Sequence, residues 1–310
     1  MGDKKQFDVC VIGSCNVDLI SYVDRTPKIG ETIEGNKFEK GANQCVASAK
    51  LGGNVAMIGK VGNDVFGQEY VSNLKELGIN TDHVYVTPDA ATGVAPIIVD
   101  KEGRNSIIVI LGANLLLSGE DLIKAENTIR QSNVVVCQCE IKQETVLKAL
   151  EMARKFSVTS ILNPAPMPTN FNRDLVKMCD IICPNQHEAE AICGVKVETI
   201  EEAYKACKLL LDAGSKIAII TMGEHGAVIA SEDQPEPFHV EPPSNINVYD
   251  TTGAGDAFVG TLAVLMARCK TMSLKEKVRR ACAVASVSVQ RAGTQTSFPK
   301  YDELSFKLFE

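Results

Sequence analysis

Short apolar runs rich in β-branched residues alternate along this chain with segments in which apolar residues recur at three- and four-residue spacing. The first pattern is typical of buried strands and the second of amphipathic helices. Strands are predicted at residues 7–13, 55–61, 134–138, 158–162, 180–183 and 216–221. Helices are predicted at residues 42–51, 66–77, 144–156, 200–213 and 255–266. The alternation predicts an α/β fold with a central, mostly parallel sheet covered by helices on both faces, which binds ligands at the carboxyl ends of its strands.

Two segments, residues 19–38 and 82–111, interrupt this alternation with short strand-like pieces and turn signals such as Asp89 and Glu102-Gly103. We expect them to form a small additional sheet. Such a sheet can act as a lid that excludes water from a site, and a plain hairpin excursion is the alternative. Because no internal repeat or low-complexity linker divides the chain, residues 1–310 are predicted to form one domain.

The composition is that of an ordinary globular enzyme, with 45% hydrophobic and 23% charged residues. A chain of 310 residues buries roughly three quarters of its unfolded surface, so its core needs neither disulfides nor a structural metal. The net charge of -7 is spread along the chain without a basic run, which argues against nucleic acid as a partner. These features are typical of an average soluble enzyme.

The apolar runs are too short to span a bilayer, and the amino terminus lacks the pattern of a signal peptide. We therefore expect no membrane partner and a cytoplasmic location, with the nucleus as a further compartment. The eleven cysteines are an odd number and fall mostly within apolar segments, so they are predicted to be reduced, buried thiols. Their spacing does not match a zinc site, and the four scattered histidines suggest no triad.

The segment Asp250-Thr251-Thr252-Gly253-Ala254-Gly255-Asp256 carries the strongest chemical signal. Small residues at the start of a predicted helix leave backbone N–H groups unhindered, and these groups, with the helix dipole, bind phosphate oxygens. A carboxylate there would repel phosphate unless it took a proton from the attacking hydroxyl. Asp256 is therefore predicted to be a general base, and Gly253, Ala254 and Gly255 to stabilise the transferring phosphoryl group. Helix capping by Asp256 is the alternative.

Further motifs occur along the rest of the chain. They are Gly13-Ser14-Cys15-Asn16-Val17-Asp18, Lys40-Gly41-Ala42-Asn43-Gln44, Gln138-Cys139-Glu140, Asn163-Pro164-Ala165, Asn185-Gln186-His187-Glu188 and Arg291-Ala292-Gly293-Thr294-Gln295. In this order, and with residues 250–258, they resemble the signatures of the ribokinase/fructokinase (PfkB-type) family of carbohydrate kinases. The chain has neither a Walker-type phosphate loop nor the protein-kinase motifs. The resemblance covers nearly the whole chain and implies a ribokinase-like fold and ATP-dependent phosphorylation of D-ribose to D-ribose 5-phosphate.

The resemblance also implies which residues bind the sugar. They would be Asn16, Asp18, Lys40, Gly41, Asn43, Glu140 and Asp256. Asn16 and Asp18 lie two residues apart, so at the end of the first strand their side chains would share a face and point together at vicinal hydroxyls. A capped turn is the alternative for this pair.

ATP, Mg²⁺ and K⁺ are the cofactors that the resemblance implies. ATP would be bound by Asn185, Thr221, Gly223, Gly226, Gly255 and Cys282. Mg²⁺ would be held through water by Glu188, although Asn185 and Glu188 also have the spacing of a helix capping box. The monovalent cation would be held by Asp250, Thr252, Ser288, Arg291, Gly293 and Ser297, and would order the anion cradle. By family analogy, a homodimer through the lid is expected.

The chain departs from the family pattern before Lys40. The connection there is shorter, and Glu39 stands where the family usually has a glycine. Glycine allows close approach of a sugar, whereas glutamate adds bulk and negative charge. Either the lid is rebuilt or sugar binding is weakened. Two alternatives to ribose phosphorylation therefore remain, another sugar or nucleoside kinase of the family and a weakly active member with a binding or regulatory role.

Overall fold

The structure, a computed structural model, describes residues 5–34, 37–41, 44–102 and 104–310, and only the backbone within 37–41. Its strands are β1 (Phe7–Ile12), β2 (Asn16–Tyr22), β3 (Lys37–Gly41), β4 (Val55–Gly62), β5 (Asn80–Thr87), β6 (Gly93–Val99), β7 (Asn105–Ile107), β8 (Ser132–Cys137), β9 (Thr159–Leu162), β10 (Ile181–Ile182), β11 (Ile217–Thr221), β12 (Ala227–Ser231) and β13 (Gln234–Val240). Its helices are α1 (Gln44–Lys50), α2 (Val65–Glu76), α3 (Gly119–Lys124), α4 (Glu126–Arg130), α5 (Gln143–Lys155), α6 (Asp174–Met178), α7 (Gln186–Cys193), α8 (Ile200–Asp212), α9 (Ala254–Arg268) and α10 (Leu274–Ser288).

The large sheet has the order β13-β12-β11-β10-β9-β8-β1-β4-β5. Its strands from β11 to β5 are parallel, and β12 and β13 are antiparallel at one edge. In β1, Cys10 and Ile12 pack into the core on one face, and Val9 and Val11 pack into the core on the other. Burial on both faces explains why the parallel strands are continuous apolar runs. The predicted fold class is confirmed, because all six predicted strands lie in this sheet.

A second sheet has the order β3-β2-β6-β7. It corresponds to the predicted lid, with two corrections. Residues 80–87, which overlap the second predicted lid segment, form β5 and pair with β4 at the edge of the large sheet. Asn16 and Asp18 begin the small sheet in β2, whereas the sequence placed them at the end of the first strand. The prediction missed β5 as a large-sheet strand because its side chains are mostly half-buried, as suits an edge strand.

The shorter connection before Lys40 does not prevent strand formation. Residues 37–41 form β3 and pair with β2 in an antiparallel register, in which Gly41 lies opposite Asp18 and Glu39 opposite Ile20. The backbone therefore forms a strand of the small sheet here, and the choice between a rebuilt lid and weakened sugar binding stays open. The sequence analysis did not predict the β12–β13 hairpin, which forms one edge of the large sheet.

All eleven cysteines are free thiols, ten of them buried and Cys193 half-buried, as predicted. Among the described helices, none has the length and apolar character needed to cross a membrane. Within the same part of the chain, no group of three or more His, Cys, Asp or Glu side chains is arranged to hold a metal ion.

Candidate active site

The start of α9 is built by glycines. Gly253 precedes the helix in the left-handed conformation, with φ 79°, and a Cβ there would lie 3.1 Å from the Phe298 ring. A Cβ on Gly255 would meet no atom within 4 Å, so the space before this turn is open. The N–H of Ala254 already donates to the Thr251 carbonyl (3.2 Å). Gly253 and Gly255 are therefore better placed than Ala254 to offer N–H groups to an anion.

Asp256 lies in the first turn of α9, but it is not the residue that caps the helix, since the N-cap is Gly253. Its Oδ1 accepts a hydrogen bond from Gln44 Nε2 (2.9 Å). The residue is half-buried, and desolvation by the surrounding protein raises the pKa of its carboxyl to about 7. The Gln44 hydrogen bond lowers this pKa, and the charges of Glu140 and Glu188 raise it. A carboxyl with a pKa near neutrality suits a general base.

Asp256 is electrostatically coupled to three other carboxyl groups: the charges of Glu140 and Glu188 act on Asp256, and Asp256 acts on Asp18. Asp18 is only 4% exposed. Burial raises the pKa of its carboxyl to about 8, with further contributions from the charges of Asp256 and Glu140. Burial also raises the pKa of Glu140, against a hydrogen bond from Ser14 Oγ. The structure thus brings the predicted base beside two of the predicted sugar-binding carboxyls.

Asn114 is a site residue that the sequence analysis missed. It is fully buried, its Nδ2 donates to Asn16 Oδ1 (2.6 Å), and its Oδ1 accepts from the backbone N–H of Cys15 (2.7 Å). Because a backbone N–H can only donate, Asn114 must present its amino group to Asn16, which leaves the amino group of Asn16 for other partners. Gly93 makes room for this pair, since a Cβ there would lie 2.1 Å from Asn16 Oδ1.

A signal for Asn114 was present in the sequence. Residues 112–114 are Gly-Ala-Asn, the same tripeptide as residues 41–43 in the motif that was assigned to the sugar. Of that motif, Gly41 lies opposite Asp18 in the small sheet and Lys40 opposite Leu19. Asn43 lies outside the described residues, so its predicted contact with the sugar stays a prediction.

Four of the six predicted nucleotide residues follow or end β10 and β11 at their carboxyl ends. Asn185 and Thr221 form a parallel bridge, and the Thr221 N–H donates to the Pro184 carbonyl (3.0 Å). Gly223 and Gly226 both have positive φ, and a Cβ on Gly226 would lie 2.2 Å from the Val240 carbonyl oxygen. The tight turn therefore requires glycine at residue 226.

Cys282 lies in α10 and packs in the core beneath this region, where burial raises the pKa of its thiol to about 12. Its side chain is thus a packing group, and only its neighbourhood could serve a nucleotide.

Glu188 completes a capping box at the start of α7 with Asn185. Its Oε2 accepts from the Asn185 N–H (2.8 Å), and its Oε1 accepts from Asn185 Nδ2 (2.9 Å). Burial raises the pKa of this carboxyl, and its charge acts on Asp256. Because both oxygens already accept hydrogen bonds, the arrangement suits a contact with Mg²⁺ through water better than a direct one.

The loops at residues 250–252 and 288–297 meet at Asp250. This fully buried carboxylate accepts hydrogen bonds from the N–H groups of Thr252 (2.9 Å) and Gly293 (3.2 Å) and from the Tyr22 hydroxyl (2.9 Å). The structure therefore brings together Asp250, Thr252 and Gly293 as predicted, and adds Tyr22 of the small sheet, which the sequence did not suggest.

The other predicted cation residues lie on the second of these loops. The hydroxyls of Ser288 and Ser297 are buried and donate to the carbonyls of Ala285 (2.8 Å) and Thr294 (2.7 Å). The side chain of Arg291 pairs with Glu303 (2.7 Å). Of Arg291, therefore, only the backbone carbonyl is a candidate ligand.

Comparison with known proteins agrees with this geometry. The family model of the pfkB family carbohydrate kinases matches residues 6–301. A ribokinase of Mus musculus is 45% identical over 306 residues, which cover 97% of this chain and 94% of that protein. A deoxyribokinase of Salmonella typhi is 39% identical over 303 residues, with coverage of 96% and 97%. The structure of Arabidopsis thaliana ribokinase complexed with ribose and ATP superposes with a TM-score of 0.83 at 30% identity, covering 95% of this chain and 96% of that one. The chain therefore belongs to the pfkB family of carbohydrate kinases.

Proposed function

We propose that this protein is an ATP-dependent ribose kinase, which converts ATP and D-ribose to ADP and D-ribose 5-phosphate. One observation carries the proposal: Asp256 lies in the first turn of α9, beside an open glycine turn, and interacts electrostatically with the carboxyls of Asp18 and Glu140. A base, an anion cradle and polar groups for sugar hydroxyls thus meet at one place. The 45% identity to a ribokinase over nearly the whole chain supports ribose as the sugar.

The proposed chemistry is phosphoryl transfer by positioning and charge stabilisation. Asp18, Asn16 and Glu140 hold the hydroxyls of the ring, and Asp256 takes the proton of the primary hydroxyl. The oxygen then attacks the γ-phosphorus of ATP, and ADP leaves. The N–H groups of Gly253 and Gly255, with the dipole of α9, stabilise the charge on the transferring group.

The cofactor sites are part of the proposal. ATP would be bound by Asn185, Thr221, Gly223 and Gly226, and Glu188 would hold Mg²⁺ through water. The loops around Asp250 fit K⁺, because they offer carboxylate, hydroxyl and carbonyl oxygens close to the glycine turn. When bound, these cations offset the negative charge of the phosphates and order the anion cradle.

A homodimer through the small sheet also belongs to the proposal. Ile107, Ile108 and Ile110 are exposed large apolar side chains in and beside β7, the edge strand of that sheet. A second copy that covered them would protect both the apolar patch and the open strand edge.

The function is tested by measuring ADP release from Mg²⁺ATP in the presence of K⁺ with ribose, 2-deoxyribose, fructose and adenosine. We expect the highest kcat/KM with ribose. The 39% identity to a deoxyribokinase makes 2-deoxyribose the second candidate, and preference for it would identify a sister activity. ATP binding without turnover on any of these compounds would contradict the proposal and support a regulatory role.

The substitution Asn114→Leu tests whether Asn114 orients Asn16 for binding of the sugar. It removes the hydrogen bond that orients Asn16 and keeps the side-chain size. We expect KM for ribose to rise roughly 10-fold to 100-fold while KM for ATP is unchanged. Gly93→Ala should also raise KM for ribose, since its Cβ would displace Asn16 Oδ1. Asn127→Leu on the surface of α4 is the control, and an unchanged ribose KM in folded Asn114→Leu protein would contradict the role.

A further inference from the structure

Gln44, the first residue of α1, connects three parts of the chain that meet at the site. It is 3% exposed. Its Nε2 donates to Asp256 Oδ1 and to Asn163 Oδ1, both at 2.9 Å, and its Oε1 accepts from Gln138 Nε2 (2.6 Å). Both N–H groups of the amide and its oxygen are therefore engaged.

The direction of these hydrogen bonds follows from a backbone group. Asn163 Nδ2 donates to the carbonyl of Cys183 (2.9 Å), and a carbonyl can only accept. Asn163 must therefore present its oxygen to Gln44, and Gln44 must present its amino group to both Asn163 and Asp256. The donation to Asp256 is thus set by the network.

The neighbouring elements hold Gln44 at this distance from Asp256. Ser48, one turn further along α1, donates to the Gly260 carbonyl of α9 (3.1 Å). A Cβ on Gly260 would lie 2.8 Å from the Cβ of Ala47, so only glycine lets the two helices pack this closely. Gln138 is held in turn against Gly13, where a Cβ would lie 1.7 Å from Gln138 Oε1.

We propose that Gln44 is a positioning residue for phosphoryl transfer, which holds Asp256 by Oδ1 so that Oδ2 faces the attacking hydroxyl. Within the described part of the chain, Oδ2 accepts no hydrogen bond. In the reaction, the O–H bond of the sugar breaks, the proton passes to Oδ2, and the sugar oxygen forms the new bond to phosphorus as the bond to ADP breaks. Gln44 offers Asp256 no acceptor, so the proton cannot leave through this network.

The surroundings of Asp256 make this hydrogen bond significant. The charges of Glu140 and Glu188 raise the pKa of Asp256, and Asp256 acts in turn on the carboxyl of Asp18 and the thiol of Cys45. Burial and these negative charges disfavour the carboxylate form of Asp256. The N–H of Gln44 favours the carboxylate and lowers its pKa. Loss of the hydrogen bond from Gln44 should therefore raise the pKa of Asp256, so a smaller fraction of Asp256 is the carboxylate at neutral pH.

The test compares Gln44→Met with the wild-type protein and rests on the proposed kinase activity. We expect kcat at neutral pH to fall roughly 10-fold to 100-fold while KM for ribose and for ATP changes less than about threefold. The acidic limb of the kcat profile should move up by about one pH unit. Ser48→Ala is the matched control, because the Ser48 hydroxyl donates to the backbone carbonyls of Gln44 (3.0 Å) and Gly260 (3.1 Å) in the same two helices and not to Asp256. The acidic limb of the kcat profile of Ser48→Ala should lie at the same pH as in the wild-type protein.

Two further measurements keep the proposal open to contradiction. If Gln44→Met does not fold, Gln138→Met leaves the donation to Asp256 and removes only the bond to Gln44 Oε1, so a loss in kcat of about threefold is expected. A ¹³C NMR titration of the Asp256 carboxyl, identified by its absence in Asp256→Asn, needs no turnover. An unshifted Asp256 titration in Gln44→Met would contradict the role of Gln44 even in a protein that proves inactive on ribose.

Discussion

Asp256→Asn is expected to lower kcat for ribose phosphorylation by about 10³-fold, the loss typical for removal of a general base. Asparagine has nearly the same shape, and its Oδ1 can still accept from Gln44 Nε2, so the start of α9 should keep its structure. The amide cannot take the proton of the attacking hydroxyl. KM for ATP should therefore change less than about threefold. Steady-state kinetics with ribose and ATP measure both quantities.

The pH dependence of the activity is a second test of this prediction. Because the pKa of Asp256 in the ligand-free protein is raised to about 7, wild-type kcat/KM for ribose should increase as the pH rises through that value. The residual activity of Asp256→Asn should not show this limb. Asp174→Asn, the same change in the first turn of the surface helix α6, is the control. More than a tenth of wild-type kcat in Asp256→Asn would exclude Asp256 as the base.

Asp18→Asn is expected to reduce kcat/KM for ribose by about 100-fold or more and, at the same time, to make the ligand-free protein more stable. The carboxylate is an acceptor for sugar hydroxyls, and a site built from buried polar groups loses discrimination when one of them is replaced. Without sugar, the same carboxyl is a buried group beside Asp256 and Glu140, and this environment raises its pKa to about 8. Its ionisation therefore opposes folding.

The sign of the stability effect follows from proton linkage. Asp18 binds a proton more tightly in the folded protein than in the unfolded chain, where its pKa is about 4. The free energy of unfolding therefore decreases as the pH rises from about 4 to about 8. Asparagine removes this dependence, so the gain in Tm should be larger at pH 8 than at pH 5. A gain of at least about 3 °C at pH 8 is expected by calorimetry.

Asp64→Asn is a control for which we expect the opposite change in Tm. Asp64 caps α2, and although burial raises its pKa, hydrogen bonds from Thr92 and Gly67 lower the pKa overall. Its charge thus stabilises the fold above the pKa of the unfolded chain, and asparagine should lower Tm at neutral pH. Equal effects of Asp18→Asn and Asp64→Asn, or a Tm for Asp18→Asn that does not depend on pH, would contradict the assigned environment of Asp18.

The amino-acid sequence by itself determined the large parallel sheet and the start of α9. Strands buried on both faces must be continuous apolar runs, so six of them could be located from local pattern alone. The Gly-Ala-Gly segment before Asp256 indicates an open helix terminus for the same local reason. Spacing also indicated that Asn16 and Asp18 share a face, although not that their strand belongs to the small sheet.

Tertiary structure alone decided how these residues are oriented. Asn114 reaches Asn16 across 98 positions in the chain, and Gln44 reaches Asp256 across 212. Such contacts depend on strand order, register and close helix packing, which periodicity does not encode. Edge strands such as β5 escaped prediction because one side of them is not buried. The raised pKa values of Asp18 and Asp256 arise in the same way, since desolvation and charge repulsion exist only after the chain has brought the carboxyls together.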